Sequence, residues 1–455
     1  VYAVLAIIFG AYFVFVTPPL FNADEANHLD RVYQLSTDDL RSEPVPGTLV
    51  GGNVPTSIVQ TADLASSGTL TTQPLLRYHL GTIFNEMRRI PLKPNVQTPT
   101  IFPDTALYTP IVYAPQIVAV KIVSVLNKAP VYMIYLGRLF GLLASVAIFA
   151  YAIRRMPFGK WALVAIGLLP MTVDAFASFG ADAMTIAYVA LFVAMIADFV
   201  YNKKLVGKNW DSLLLLVAAC CVALSKTTYA ALLLLLVALP LSSKQARERR
   251  QLVRIGSILV IGALLALLWQ HATRYVTTIA LDPSVIPRQQ FSYIAHNPWL
   301  FVHQPLADAL LSTDANGVII SMFGQFAWLT APLPYLIVIL EILVLTFCCS
   351  ATIQGEFKKS FNLQPLRRVS ALTAAIGVLA VCVGLYTYWT PVGARVLDGL
   401  QGRYFIPILL ISMPAMKARR FIIQRKTAFA WATYGSLISL ATTALVLTAR
   451  FYIRT

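Results

Sequence analysis

The chain is 455 residues long, 58% hydrophobic and only 12% charged, with a mean hydropathy of +0.69. Those values exclude an ordinary soluble enzyme and define a polytopic membrane protein, whose length does not translate into soluble domains. The formal net charge of +16 raises nucleic acid as a partner, but the basic residues lie between apolar runs, where they act as topology signals and need no polyanion.

The first apolar run, residues 1–16, has no small-residue cleavage site after it and reads as a membrane anchor, not a removed signal peptide. It ends at Thr17-Pro18-Pro19 and leads into Phe21-Asn22-Ala23-Asp24-Glu25-Ala26-Asn27-His28-Leu29-Asp30-Arg31. With helical spacing, Asp24, His28 and Arg31 share one face. Two readings stand side by side. Asn22 followed by Glu25 three residues on is a capping-box arrangement, so Glu25 closes the first turn of a helix. That reading leaves Asp24 free, and ionisable groups gathered beside a bilayer mark a functional site.

Beyond the first run, apolar segments long enough to span, or nearly so, cover residues 131–153, 161–179, 181–201, 210–224, 227–241, 252–269, 335–351, 371–389, 405–416 and 428–449, making eleven in all. Residues 107–126 form a twelfth candidate, carrying Tyr108, Pro110, Tyr113, Pro115 and Lys121. Charge decides its fate. Five short connectors hold Arg154, Arg155 and Lys160; Lys203, Lys204 and Lys208; Lys244, Arg247, Arg249, Arg250 and Arg254; Lys358, Lys359, Arg367 and Arg368; and Lys417, Arg419, Arg420, Arg425 and Lys426. These are twenty of the 36 Lys and Arg, accompanied only by Glu248 and Glu356. Eleven spans place all five connectors in the cytoplasm, whereas a spanning 107–126 sends all five outside. The segment is therefore read as an interfacial or re-entrant helix on the outer side.

This topology makes residues 17–130 a long first exterior loop, holding nine of the twenty acidic residues, and residues 270–334 a second one. Spans two to seven occupy 131–269 and spans eight to eleven occupy 335–455. Arg138, Asp174, Asp182, Lys226 and Arg403 then all fall on the side of Asp24 and Glu25. A charge at the bilayer centre costs about 3 kcal/mol, so such groups pair, line a polar cavity or reach the interface. Bland alternatives remain: Lys226 and Arg403 snorkel to headgroups, and Asp174 and Asp182 cap or terminate helices, a role that suits Asp174 better. His271, His296 and His303 have no zinc-ligand spacing, and Cys220, Cys221, Cys348, Cys349 and Cys382 lie in apolar segments as structural thiols. A carboxylate with Lys and Arg at one level suits transfer from a lipid phosphate: the carboxylate takes the proton of an acceptor hydroxyl while the cations hold the leaving phosphate.

The order of these features resembles the GT-C superfamily of integral-membrane glycosyltransferases. The features are one span, Asp24-Glu25 opening an exterior helix with His28 behind, Tyr108-x-Pro110-x-x-Tyr113-x-Pro115, and Arg138 starting the next span. Leu169-Pro170-Met171, Ala181-Asp182-Ala183, Lys226 and Gln401-Gly402-Arg403-Tyr404-Phe405 are similar to a bacterial branch of it. The resemblance implies an all-α bundle of about eleven transmembrane helices whose long first exterior loop contains interfacial helices. It also implies an inverting transferase in the bacterial cytoplasmic membrane, with its active site on the extracytoplasmic face. The donor is a polyprenyl-phosphate sugar and the acceptor a cell-envelope glycan or glycolipid. Asp24 is the implied base with Glu25 beside it; Lys226, Arg403 and Arg138 contact the donor phosphate; and His28, Arg31, Tyr108, Tyr113, Asp182 and Tyr404 are substrate-contact candidates. No cofactor is implied, and the sparse outer carboxylates favour a metal-independent site. The oligosaccharyltransferase-type Trp-Trp-Asp-Tyr motif is missing from the sequence, which argues against peptide glycosylation. A flippase for a lipid-linked saccharide, or a polymerase or ligase using a diphosphate-linked glycan, are the competing expectations.

Overall fold

All eleven apolar segments are helical in the computed structural model, which describes residues 1–44, 50–66, 80–274, 284–311, 313–357, 361–417 and 421–453. Of the basic connectors, Lys358, Lys359, Arg419 and Arg420 lie outside the described residues. Five helices are long and apolar enough to cross a membrane as they stand: Val131–Arg155, Asp182–Asn202, Arg249–Ala272, Gln364–Tyr388 and Arg425–Tyr452. A sixth crossing arises if Lys160–Gly167 and Pro170–Ala177, bent by 59°, form one span. The bend has a local cause: Pro170 at the first position of the second helix has no N–H to extend the first. The other apolar helices, Tyr2–Val16, Pro110–Val125, Trp210–Ser225, Thr227–Ser242, Tyr335–Ser350 and Gly402–Met416, have 10–17 residues each. The fold is thus a polytopic helical membrane protein, and the expected count of about eleven spans exceeds what helix length alone establishes.

Asp182–Asn202 is the axis of the molecule. Its apolar window is wholly buried, and it packs on Val131–Arg155, Trp210–Ser225 and Ile406–Met416. Ala183, Ala187, Ala190, Ala194 and Ala197 recur at helical spacing and are all buried, so one face is smooth enough for neighbouring backbones to approach closely. Arg249–Ala272, with only 17% of its window buried, lies at the periphery.

The axis helix carries a carboxylate near each end, about 24 Å apart at helical rise. Near its C-terminal end, Asp198 and Asp211 grip Arg155 (2.6 and 2.8 Å) and Lys204 (2.9 and 2.6 Å) in a closed four-residue ring. The N-terminal end carries Asp182 and the candidate site.

The expectation of a purely helical fold needs correction, since the described residues also form three small sheets. Between the helices Glu25–Ser36 and Ala114–Val125 the chain forms a three-stranded antiparallel sheet from Glu43–Pro44, Val50–Pro55 and Gln97–Ile101. Gly51 makes the pairing possible, since a Cβ there would sit 1.8 Å from the Thr100 carbonyl oxygen. The segment expected as an interfacial helix, residues 107–126, is a turn at Pro110–Tyr113 followed by the helix Ala114–Val125. It buries Gln116, Ala119, Val120 and Val123 against Val131–Arg155 and turns Val118 and Val125 outward.

Candidate functional site

The chain reaches the site through a strained step. Asp24 precedes the helix Glu25–Ser36 with φ 61° and ψ 10°, the left-handed region that aspartate tolerates better than most side chains. The expected capping box does not form: Asp24, not Asn22, occupies the N-cap position, and no side chain caps the helix. The Asp24 side chain keeps 31% of its surface open, and its Oδ2 accepts a hydrogen bond from Arg403 Nη2 at 3.2 Å.

Arg403 and Lys226 meet at one carboxylate. Lys226 Nζ donates to Asp182 Oδ1 at 2.7 Å, and Arg403 Nε lies 3.5 Å from Asp182 Oδ2. Tyr404 lies under both cations, with its ring 4.8 Å from Lys226 Nζ and 5.5 Å from the Arg403 guanidinium carbon. The Tyr108 ring is 5.4 Å from Lys226 Nζ and stacks on His28 at 5.8 Å, while Tyr113 Oη and His28 Nδ1 share a 2.5 Å hydrogen bond. Burial pushes the His28 imidazole down to about 4, so it is a neutral member of this cluster at neutral pH. Asp24, Asp182, Lys226, Arg403, Tyr404, Tyr108, Tyr113 and His28 are therefore brought together from segments as far apart as residues 24 and 404.

Three of the expected site residues are used otherwise. Arg138 is fully buried, and each of its N–H groups is taken: Nε and Nη2 by Glu25 (2.7 and 2.5 Å), Nη1 by the carbonyls of Val14 and Thr17, and Nη2 also by that of Pro18. No donor is left for a phosphate. Glu25 also accepts the Phe179 N–H at 2.8 Å, so it is neither a cap nor a second base but the partner of Arg138. Arg31 is fully buried and donates to Gln34, Ser42 and the carbonyls of Leu40 and Tyr108, tying down the chain after the helix. Its guanidinium is thus engaged by the chain around it.

Other residues at the site carry no motif. Asp174, expected as a cap, sits inside the helix Pro170–Ala177, and together with Asn22, Gln401 and Trp328 it lines a small cavity beside Asp182 and Arg403. Trp328 belongs to the hairpin Gln325–Phe326 and Ala331–Pro332, whose turn runs through three consecutive left-handed residues, Ala327, Trp328 and Leu329. The only sequence signal for it is the punctuation of Gly324, Pro332 and Pro334 around a tryptophan.

Gly402 fixes the height of Arg403. Its N–H donates to Ser321 Oγ at 2.8 Å, and a Cβ there would fall 2.1 Å from Met322 N and 2.2 Å from Val318 O, which are backbone atoms that cannot swing aside. Gly402→Ala is expected to cost about 1–3 kcal/mol of stability and to pull Arg403 off Asp24. Paired melting and donor-binding measurements check this, and an unchanged variant would show that the close approach is dispensable.

A second carboxyl pair sits behind the site in the first loop. Burial, then the neighbouring Asp104, pushes Asp30 up to about 7, and burial pushes Asp104 up to about 6 against the hydrogen bond from Asn27. A raised carboxyl means the folded state holds a proton that the unfolded state has already lost, so this pair's contribution to stability declines as pH rises from about 4 to about 7. Asp30→Asn is expected to lie within about 1 kcal/mol of the parent at pH 4.5 and to melt higher at pH 8, by on the order of 2–4 kcal/mol. The low His28 value acts in the opposite direction in both proteins and cancels in the comparison. Equal melting at both pH values would show that Asp30 carries no such cost.

Fold and site together define a polytopic helical membrane protein with a charged, aromatic-walled cluster at one end of its axis helix. Residues 7–412 match the family described as "Predicted membrane protein (DUF2142)", and the chain belongs to that family. No curated protein and no solved structure matches it. The family description speaks of a membrane and of no activity, so the glycosyltransferase resemblance rests on the residues themselves.

Proposed function

We propose that the chain is an inverting glycosyltransferase that moves a sugar from a polyprenyl-phosphate donor to a cell-envelope glycan or lipid acceptor. In this reading about eleven helices cross a bacterial cytoplasmic membrane, and the cluster lies on the outer face. The sidedness follows from the basic connectors. The observation that carries the proposal is the meeting of Asp24, Arg403, Asp182 and Lys226, with Asp24 partly open. Arg403 engages Oδ2 of Asp24 and leaves Oδ1 for an acceptor hydroxyl. The acceptor oxygen attacks the anomeric carbon as its proton passes to Asp24, the bond from that carbon to the phosphate oxygen breaks on the opposite face, and polyprenyl phosphate departs as an anion. Lys226 and Arg403, held ready by Asp182, then turn to the phosphate and stabilise its developing charge. Because the leaving group departs already anionic, the reaction needs no strong general acid.

The test uses the full chain in lipid nanodiscs with polyprenyl-phosphate sugars and a cell-envelope extract. Release of polyprenyl phosphate with matching sugar incorporation is expected. Donor movement across a vesicle bilayer without phosphate release would replace the transferase with a flippase. Lys226→Met is expected to weaken donor binding by about 1.5–3 kcal/mol; unchanged affinity would reduce Lys226 to an internal partner of Asp182.

A further inference from the structure

Asp174 is 9% exposed and sits inside the helix Pro170–Ala177, where its carboxyl faces a small cavity next to Asp182 and Arg403. Among the described residues, no hydrogen bond or ion pair reaches it. A buried carboxyl without a donor is costly in any protein, and more so beside a bilayer. The group it lacks is a hydrogen-bond donor supplied from the cavity.

The remaining walls narrow what that donor is. Asn22, Ser178 and Gln401 are uncharged; the Gln401 amide makes no hydrogen bond among the described residues, and Ser178 Oγ donates to the Ala175 carbonyl, which leaves its lone pairs to accept. Trp328, 41% exposed, completes the rim as a flat apolar face. Its left-handed turn is fixed by Gln325 donating to the Leu329 carbonyl at 2.9 Å and by Arg450 donating to Thr330 at 3.1 Å. Acceptors, amides and an indole in one lining suit a pyranose, whose hydroxyls need acceptors and whose C–H face stacks on aromatic rings. The cavity, about 40 Å³, has room for hydroxyl groups and not for a whole ring, so a sugar would reach Asp174 with its hydroxyls while its ring stays at the rim beside Trp328.

Formal charge excludes the acidic sugars. Among the described residues lining the cavity, Asp174 and Asp182 face one cation, Arg403, which is already paired with Asp182 and Asp24. A further carboxylate on the ligand finds no free cation at Asp174.

The geometry points to this cavity as the subsite for a non-acidic, hydroxyl-bearing hexose, with Asp174 accepting its hydroxyls and Trp328 stacking on its ring. The inference rests on the glycosyltransferase reading for its role in turnover, but its binding test does not. Protein in nanodiscs is titrated with a methyl hexoside, the corresponding methyl hexuronide and an amino sugar, following Trp fluorescence and calorimetry. The methyl hexoside is expected to bind at least tenfold tighter than the hexuronide. Asp174→Asn should weaken it at least tenfold and erase the discrimination, and Trp328→Ala should weaken it at least tenfold while leaving the discrimination intact. Trp328→Ala and Gln401→Ala carry the test if Asp174→Asn does not fold. Equal binding of the hexuronide, no binding at all, or variants with parental affinity would each overturn the inference. Asp174-dependent hexoside binding without donor turnover would remove the transferase reading and leave the sugar site. Turnover with parental kcat/KM in both variants would remove the sugar site alone.

Discussion

Asp24→Asn is expected to lower sugar transfer at least a hundredfold while leaving the melting temperature and donor binding near those of the parent. General-base catalysis contributes about 10²–10⁴-fold, and asparagine removes the base with minimal disturbance elsewhere. It tolerates the left-handed conformation at φ 61°, and its amide oxygen can still accept the Arg403 hydrogen bond that Oδ2 accepts now. Asp24→Ala is a poorer test, because alanine pays for the left-handed backbone and releases Arg403 together, mixing a loss of chemistry with a loss of position. Glu in place of Asp24 is informative in the other direction, since it keeps the base one methylene out of place and should restore part of the activity if proton transfer is the lost step. Full turnover by the asparagine variant would exclude Asp24 as the base and leave the cluster as a binding or transport site.

The parts of the site that were legible in the sequence are those whose meaning survives without a partner. Apolar length marked the helices, and all eleven segments are helical. The expected topology set Asp24, Asp182, Lys226 and Arg403 at one level, and the structure joins the four in ion pairs. What stayed hidden depends on contacts between distant residues. Glu25 and Arg138 lie 113 positions apart, and nothing local distinguishes a buried carboxylate awaiting an arginine from a helix cap. Arg31 shares a helical face with Asp24 by spacing, yet the loop carbonyls it satisfies are set by the fold of residues further along. Asp174 looked like a cap because it flanks a turn; the helix in fact runs on to Ala177. The left-handed turn at Ala327, Trp328 and Leu329 contains no glycine, so the usual marker of such a backbone is missing.

Arg138→Met is the change expected to damage the fold most, and its consequences separate two roles for that arginine. A phosphate contact, as the family resemblance implied, would lose donor affinity and keep its stability. The observed geometry demands the reverse. The guanidinium satisfies carbonyls of Val14, Thr17 and Pro18 at the C-terminal end of the first helix and neutralises a Glu25 carboxylate that has no exposed surface. Breaking a buried ion pair from one side costs about 3–5 kcal/mol, because the survivor remains charged and unpaired. Glu25→Gln should fall in the same range, somewhat less because the glutamine still offers an acceptor to Arg138 and to the Phe179 N–H. The double variant Glu25→Gln, Arg138→Met should melt above the value expected from adding the two single losses, by about 0.5–3 kcal/mol of coupling. Strict additivity would mean that the two side chains do not stabilise one another. The effect on turnover then follows from position. Glu25 is the residue after Asp24, and its anchorage to Arg138 fixes where the left-handed step begins, so a loosened pair lets Asp24 drift from Arg403. Transfer by Arg138→Met should fall chiefly in kcat, with donor affinity retained in whatever fraction remains folded, whereas Lys226→Met should show the opposite balance.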